Sequence, residues 1–209
     1  SIRKFTDEPV DPDLFTRLVD AAQASASSSF LQGVTIIRVT DPVKRVALRD
    51  VAGGQAYVET APEFLVFCAD LSRPMRCCRQ HGGTPAEGLT EQFVIATVDA
   101  ALYAQNLVIA AESAGLGICY IGALRNDPAK VTELLDLPQH VYPVFGLCLG
   151  HPAQDPEVKP RLPVSVTLKT DSYSTYGEDE AIAAYDEEMR TYYANRSANI
   201  KIQGWSDQM

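Results

Sequence analysis

The longest apolar segment of the chain covers residues 91–113, where Asp99 and Glu112 are the only interior charges. A helix with so narrow a polar face is normally buried rather than laid on a surface. As a helix, its roughly 24 residues would span about 36 Å, enough to cross a small domain. Gly115 and Gly117 follow, and glycines commonly stand just past a helix end. The pattern predicts a long central helix that ends in a glycine turn.

A membrane span is the alternative for this segment, since about 20 apolar residues are enough to cross a bilayer. Asp99, Gln105, Asn106 and Glu112 inside the segment argue against it. Residues 1–4 lead into polar sequence, so no signal-peptide pattern opens the chain. We therefore expect a protein without a membrane partner. Both termini interrupt recognisable patterns, which favours an incomplete chain.

Shorter patterns on either side predict interspersed helices and strands. Asp-Pro pairs at 11–12 and 127–128 are typical helix starts, with Asp as the N-cap and Pro in the first turn. Helices are expected to begin at residue 12 and to cover 42–50, 57–61, 128–135 and Glu178–Asn195. Strands are expected over 34–40, 63–69, 118–121 and 140–149. Residues 72–90 read as a long surface loop or lid. This mixture predicts an α+β or α/β class.

The charge balance and the cysteines limit the partners and the compartment. The 209 residues include 18 Lys and Arg against 27 Asp and Glu, a formal net charge of −9. An acidic chain repels nucleic acid at long range, so no nucleic-acid partner is expected, and a phosphate ligand needs a local basic cluster. Five cysteines without scaffold spacing indicate reduced thiols and a cytoplasmic protein. Cys77, Cys78 and His81 leave a thiol or metal sensor open as a weaker alternative, although adjacent thiols lack metal-ligand spacing.

Side-chain catalysis finds little support in the sequence. The three histidines are scattered, and the chain has no G-x-S-x-G, Walker A or Rossmann motif. Chemistry carried by a cofactor is therefore the favoured interpretation. Three polar clusters could bind one: residues 1–5, residues 27–32 together with Gln55, and residues 159–161. Each cluster alone is equally typical of a solvated surface or a turn.

Several motifs, taken in order, resemble one family. They are SIRKFTDEPV, SSSFLQ, GGQ, AQNLVIAAESAGLGICYIGALRN, LPQHVYPVFGLCLGHP, KPRLP and WSD. Together they resemble the FMN-dependent nitroreductase superfamily, in its branch of major oxygen-insensitive NADPH nitroreductases and NADPH-flavin oxidoreductases. The resemblance implies an α+β nitroreductase-like fold, with a central mixed, mostly antiparallel sheet flanked by helices. It also implies an intertwined homodimer, with Leu107 and Ile109 as candidates for the dimer core.

The resemblance further implies one FMN-binding domain over residues 1–209, with a surface excursion near 71–90 and an extension from about 160. The N-terminal motif and the KPR motif would bind the phosphate end of FMN, and the serine tract would reach the flavin from the partner subunit. The loop after residue 119 would turn its backbone amides to the flavin. The implied FMN-binding residues are Ser1, Arg3, Ser27, Ser28, Ser29, Phe30, Gln55, Tyr120, Ile121, Gly122, Ala123, Leu124, Lys159 and Arg161. Arg196 and Lys201 lie where family members hold the 2′-phosphate of NADPH.

Some positions depart from the family pattern. Ala123 stands where a glycine is usual, and a methyl group is tolerated there if the contact uses the backbone amide. Lys201 replaces an arginine and cannot make its planar bidentate fork, which weakens the expected preference for NADPH over NADH. Family members also carry a His-Arg pair before SIR and a helix beyond WSD.

The expected function is an FMN-dependent NAD(P)H oxidoreductase that reduces nitroaromatics, quinones or related planar acceptors by a ping-pong mechanism. Catalytic side chains and a metal are not expected, because the flavin carries the chemistry. Lys159 would stabilise the reduced flavin near N1 and O2. Two alternatives stay open: an NADPH-flavin reductase that supplies reduced FMN to a partner, and a flavin-binding protein without catalysis.

Overall fold

A computed structural model describes residues 1–196 and 200–209 of the chain. They form two compact units, Ser1–Asp155 and Pro156–Met209. The prediction of one domain with an extension from about residue 160 stays a prediction.

The first unit is built around one sheet of four strands. Its elements are α1 Pro12–Gln23, β1 Val34–Arg38, α2 Pro42–Val51, α3 Tyr57–Thr60, β2 Glu63–Asp70, α4 Ser72–Gln80, α5 Thr90–Ser113, β3 Gly117–Ile121, α6 Pro128–Leu134 and β4 Val141–Gly150. The strand order is β1-β2-β4-β3, and each of the three pairings is antiparallel. The predicted α+β class with a mostly antiparallel sheet is confirmed. Strands β1 and β3 form the two edges of the sheet.

Helix α5 is the predicted central helix, and it packs against α1 and all four strands. Its length and hydropathy would suit a membrane span. However, Ala104, Leu107 and Ala111 are fully buried in the main apolar cluster beneath the sheet. The helix is therefore a core element of this unit.

The outer side of α5 carries an apolar stripe, which we define as Val94, Val98, Leu102 and Ile109. Their exposed fractions lie between 42% and 57%, and their helical spacing places them on one face. Ile109 thus fits its expected place on a subunit surface. The same expectation for Leu107 is wrong, because Leu107 is fully buried within its own protomer.

Helix starts follow the predicted capping chemistry. The Asp11 carboxylate accepts from the Leu14 amide at 2.8 Å, and the Asp127 carboxylate accepts from the Lys130 amide at 2.9 Å. Each aspartate precedes a proline in the first turn. A cap of this kind contributes about 1 kcal/mol to helix stability.

The predicted loop over 72–90 is wrong in its first half, where α4 forms. Asp70, the last residue of β2, accepts hydrogen bonds from the amide and the hydroxyl of Ser72 at 2.9 and 2.8 Å, and from the Arg73 amide at 3.3 Å. It thereby caps α4. Met75 is the one residue of α4 that is buried. A helix with so few apolar positions leaves little periodic signal in the sequence.

The two glycines after α5 have different tasks. Gly115 has a φ of 81°, and the following amide of Leu116 donates back to Ala111 O at 3.0 Å, which closes the helix as predicted. Gly117 instead belongs to β3. A Cβ there would lie 2.6 Å from Cγ1 of Ile2, so glycine permits the N-terminal segment to approach β3. The Ile2 amide donates to Ile118 O at 2.9 Å, which places Arg3 beside this edge of the sheet.

The second unit contains α7 Val164–Thr167 and α8 Glu178–Asn195. The bounds of α8 agree with the prediction. Tyr185, Met189 and Tyr193 form its buried face, against which Leu162 and Trp205 pack. The short α7 was not predicted.

Candidate functional site

A chain of polar side chains joins the N-terminal motif to Gln55. The Arg3 side chain lies close enough to the Tyr57 phenol to lower its pKa, and the Tyr57 hydroxyl donates to Gln55 Oε1 at 2.6 Å. Gln55 Nε2 in turn donates to Ala52 O at 2.9 Å. Burial raises the pKa of Tyr57, and the Arg3 contact opposes that shift in part. The fold thus brings Arg3 and Gln55 together through Tyr57, a residue that the sequence did not mark as functional.

The turn after β3 offers backbone rather than side chains to a ligand. Ile121 and Leu124 are fully buried, whereas Gly122 and Ala123 are partly exposed. The side chain of Ala123 packs against the apolar cluster on its face of the sheet. Its methyl group therefore packs against this cluster. This agrees with the expectation that alanine is tolerated here if a ligand contacts the backbone amide.

Arg125 connects this turn to strand β4. Its Nη1 donates to Val144 O at 2.7 Å. A Cβ on Gly122 would lie 3.2 Å from Arg125 Nη2, tighter than an ordinary contact. Glycine at position 122 therefore leaves room for the guanidinium that holds the turn against β4.

Tyr120 lies on the exposed side of β3. Its ring meets the Phe145 ring edge-on, with centroids 5.2 Å apart, and 36% of the residue is exposed. Burial, together with the negative charge of Glu112, raises the pKa of Tyr120 to about 12. A tyrosine is already neutral at physiological pH, and the raised pKa extends this neutral range into more alkaline solution, so Tyr120 offers a ligand an uncharged aromatic surface.

The cysteines near this site are buried thiols. Cys119 and Cys148 are register partners on β3 and β4, and the Cys148 thiol donates to Tyr57 O at 3.2 Å. Burial raises the pKa of both, and it raises that of Cys68 to about 12. Neutral thiols are weak nucleophiles, so these three are packing groups. Within residues 1–196 and 200–209, no group of three or more metal-ligating side chains is found, around Cys77, Cys78 and His81 or elsewhere.

The serine tract is held by the buried carboxylate of Asp99. Asp99, 2% exposed, accepts from Ser27 Oγ at 2.6 Å, from the Ser28 amide at 3.1 Å and from the Gly33 amide at 2.9 Å. Ser27 Oγ also accepts from the Gln32 amide at 2.7 Å. The tract is therefore a fixed loop rather than a loose surface segment.

This loop carries backbone strain at its tip. Ser29, Phe30 and Gln32 have φ values of 50°, 54° and 52°, in the left-handed region that non-glycine residues seldom adopt. Phe30 is nevertheless 80% exposed. A cavity of about 400 Å³ lies beside the loop, with Gln32, Arg73 and Tyr103 in its wall. An exposed aromatic held in a strained loop is typical of a contact made with another molecule.

The sheet separates the two halves of the predicted site. Arg3 lies beside β3, while Ser27, Ser28, Ser29 and Phe30 come just before β1. These strands are opposite edges of the sheet, so about three strand spacings, roughly 14 Å, lie between them. Within the first unit, Ser1, Arg3, Gln55 and residues 120–124 share one edge. The serine tract does not join them.

In the second unit, the predicted basic residues gather around Tyr193. Lys159 Nζ lies 5.3 Å and Arg196 Cζ lies 4.7 Å from the centroid of its ring. The Lys201 amide donates to Tyr193 O at 3.2 Å. Arg161 is exposed, and its Nη1 donates to the carbonyls of Lys159 and Pro160 at 2.9 and 3.3 Å. Lys159, Arg161 and Arg196 thus form a local basic cluster in this unit, and their assignment to ligands stays a prediction.

Three residues important to this geometry were missed as functional positions: Tyr57, Asp99 and Tyr193. Asp99 had the clearest signal, as an acid within an apolar helix. Such a charge is seldom fully buried without a partner. Tyr57 and Tyr193 carry no comparable mark, because Arg3 and Lys159, which approach them, are distant in sequence.

Comparison with known proteins agrees with the geometry. A model of the nitroreductase family matches residues 1–151, and a model of that family's C-terminal domain matches residues 159–209. The chain is 47% identical over 207 residues to an oxygen-insensitive NADPH nitroreductase of Salmonella typhimurium, across 99% of this chain and 84% of the relative. It is 47% identical over 209 residues to an NADPH-flavin oxidoreductase of Vibrio harveyi, across 100% and 85%.

A solved structure of a nitroreductase from B. subtilis has a TM-score of 0.95 against this chain at 44% identity. The match covers 100% of this chain and 86% of that one. The resemblance of the sequence motifs is thereby confirmed, and the chain belongs to the nitroreductase family.

Proposed function

We propose that this chain uses FMN to pass hydride from NADPH to nitroaromatics, quinones or related planar acceptors by a ping-pong mechanism. The broader class is confirmed: relatives at 47% identity are named NADPH nitroreductase and NADPH-flavin oxidoreductase, so the chain is a flavin-dependent NAD(P)H oxidoreductase. The acceptor, the order of steps and the residue assignments belong to the proposal.

The residues at this edge of the sheet fit FMN. Arg3 supplies a guanidinium suited to a phosphate. The hydroxyl of the neighbouring Tyr57 donates to Gln55 and fixes a side-chain amide suited to the edge of a heteroaromatic ring. The partly exposed backbone at Gly122 and Ala123 can approach such a ring closely. Bound FMN would supply the electron transfer that these side chains cannot perform.

The role of the protein is therefore positioning. Arg3, Lys159 and Arg161 would hold the phosphate end and offset negative charge. Tyr120, an uncharged aromatic side chain at physiological pH, would flank the open face without adding charge. The buried side chains of Ile121 and Leu124 would keep the turn rigid beneath the ring.

One observation carries the proposal: a single protomer places the two halves of the predicted site at opposite edges of its sheet. A second copy can complete the site by bringing its serine tract to the Arg3 edge. The apolar stripe on α5 supports such a homodimer, because exposed apolar faces of this kind commonly mark interfaces. We infer a cytoplasmic dimer, without membrane or nucleic-acid partners.

The test is the visible absorption spectrum of the purified chain before and after anaerobic addition of NADPH. A yellow protein that bleaches, and recovers its colour with a nitroaromatic, is the expected result. A yellow protein that NADPH leaves unchanged would support the alternative of flavin binding without catalysis. A colourless protein that cannot be reconstituted with FMN would contradict the proposal.

A second candidate is a flavin reductase that delivers reduced FMN to a partner. The name of the Vibrio harveyi relative favours it. Steady-state rates with free FMN and with a nitroaromatic separate the two: efficient FMN turnover with poor nitro turnover would select the flavin reductase.

A further inference from the structure

Three residues that the family resemblance assigns to two different ligands meet at one residue, Tyr193. Lys159 was assigned to FMN, and Arg196 and Lys201 were assigned to the 2′-phosphate of NADPH. Both Lys159 Nζ and Arg196 Cζ lie over the Tyr193 ring, at 5.3 and 4.7 Å from its centroid. Lys201 is tied to the same residue through its backbone amide, 3.2 Å from Tyr193 O.

Tyr193 is a rigid support for these cations. It is 6% exposed and belongs to the buried cluster with Tyr185 and Met189. The Tyr192 ring meets it edge-on, with centroids 5.5 Å apart. The side chains of Lys159 and Gln208 approach its phenol and lower its pKa. A ring held from several sides cannot follow a moving cation, so the cations must adjust to the ring.

The ring and the hydroxyl hold the cations in different ways. The Lys159 ammonium lies 5.3 Å from the ring centroid and close enough to the phenol to lower its pKa, so the hydroxyl is a polar neighbour of this cation. The Arg196 guanidinium lies over the ring face, where the negative side of the aromatic quadrupole attracts it. One residue therefore provides two separable interactions, each with a different cation.

We propose that Tyr193 is a positioning residue that orients Lys159 for FMN through its hydroxyl and Arg196 for the 2′-phosphate of NADPH through its ring. The inference rests on the proposed function, since it assumes that Lys159 and Arg196 contact these ligands. Selectivity between NADPH and NADH then depends on an aromatic side chain that touches neither nucleotide.

Two variants of this chain separate the two interactions. Tyr193→Phe keeps the ring and removes the hydroxyl beside Lys159, so the dissociation constant for FMN should rise about three- to tenfold. Its preference for 2′,5′-ADP over 5′-AMP should stay unchanged. Tyr193→Leu removes the ring as well, so the affinity for 2′,5′-ADP should also fall, by about two- to fivefold.

The measurements are fluorescence titration with FMN and calorimetric titration with 2′,5′-ADP and 5′-AMP, neither of which needs turnover. Tyr192→Leu is the matched control: it removes a ring that packs beside Tyr193, whereas Lys159 and Arg196 make the two cation contacts with the Tyr193 ring. Equal losses in the Tyr192 and Tyr193 variants would reduce Tyr193 to a packing residue and overturn the inference.

Arg196→Ala distinguishes failure of the inference from failure of the proposed function. If Arg196→Ala abolishes the preference for 2′,5′-ADP while Tyr193→Leu preserves it, the positioning role of Tyr193 is wrong and the proposed function is unaffected. If Arg196→Ala also preserves the preference, the assignment of Arg196 to the 2′-phosphate is itself wrong. Should the leucine variant fail to fold, an unchanged FMN affinity in Tyr193→Phe still overturns the role of the hydroxyl.

Discussion

Ser27 Oγ donates a hydrogen bond to Asp99 Oδ2 at 2.6 Å, across 72 positions of sequence. The serine lies in a strained loop before β1, and the aspartate lies in the middle of the core helix α5. The contact holds the loop against the core helix of its own subunit. We propose that the same loop completes the FMN site of the neighbouring subunit, so the core helix would position part of that site.

Replacing Asp99 with Asn should loosen this loop. Asparagine has one acceptor oxygen and presents an NH₂ group to amides that need acceptors, so buried donors lose their partner. We expect a loss of about 1–3 kcal/mol in the free energy of unfolding. Urea denaturation measures it, and Glu112→Gln, at an exposed acid of the same helix, is the control. Equal stability of the Asp99 variant and the wild type would show that the carboxylate does not order the loop.

Tyr57→Phe should weaken FMN binding without removing any group assigned to the ligand. The phenol joins Arg3 to Gln55, and without it both side chains gain freedom that binding must then restrict. We expect the FMN dissociation constant to rise about three- to tenfold. Fluorescence titration provides the measurement. Tyr173→Phe, at an exposed tyrosine, should have no effect; a wild-type constant for the Tyr57 variant would remove this residue from the site.

Val98→Glu should separate the proposed dimer. Val98 is 47% exposed within the apolar stripe of α5, and a carboxylate there would have to lose its water on association. The dimer dissociation constant should rise at least about a hundredfold, and light scattering after size exclusion should report a monomer. Val43→Glu, at an isolated exposed valine of α2, provides the control. A Val98 variant that remains dimeric would place the interface elsewhere.

Asp70 should give the protein an acid-sensitive contact. Burial alone would raise its pKa, but hydrogen bonds from Thr35, Ser72 and Arg73 outweigh it and hold the pKa below the ordinary 3.8. The unfolded chain therefore binds this proton more readily than the folded one. The contribution to stability is complete above the ordinary value and is lost as pH falls through the lower folded-state value.

Asp70→Asn tests this contribution. The variant should lose about 1 kcal/mol of stability near neutral pH through its weaker helix cap and broken ion pair with Arg73. The difference from wild type should shrink below the ordinary carboxyl pKa. Urea unfolding at a series of pH values measures both. A difference that stays constant down to the most acidic value would exclude this titration.

The sequence revealed the elements whose causes are local. Asp11 and Asp127 cap their helices with their own side chains, and Gly115 ends α5 through its own backbone. Such features depend on residues within one helical turn. The start of α4 was hidden because its cap, Asp70, is also the last residue of a strand.

Residues that act across the fold could not be assigned in the same way. Tyr57 matters because β3 places Arg3 against it, and Tyr193 matters because Lys159 returns to its ring. Neither approach follows from spacing along the chain. Arg3 itself was found only through a motif, since an exposed arginine near a terminus carries no local mark of function.

The placement of Arg3 and the serine tract at opposite sheet edges has a genetic consequence in the proposed dimer. Each site takes one part from each copy, so an Arg3 variant and a Ser27 variant are each defective at both sites. In a mixed dimer of one Arg3 variant and one Ser27 variant, one site contains both substitutions and the other site contains neither. Random pairing should therefore restore about a quarter of all sites, and two inactive alleles could sustain activity in one cell.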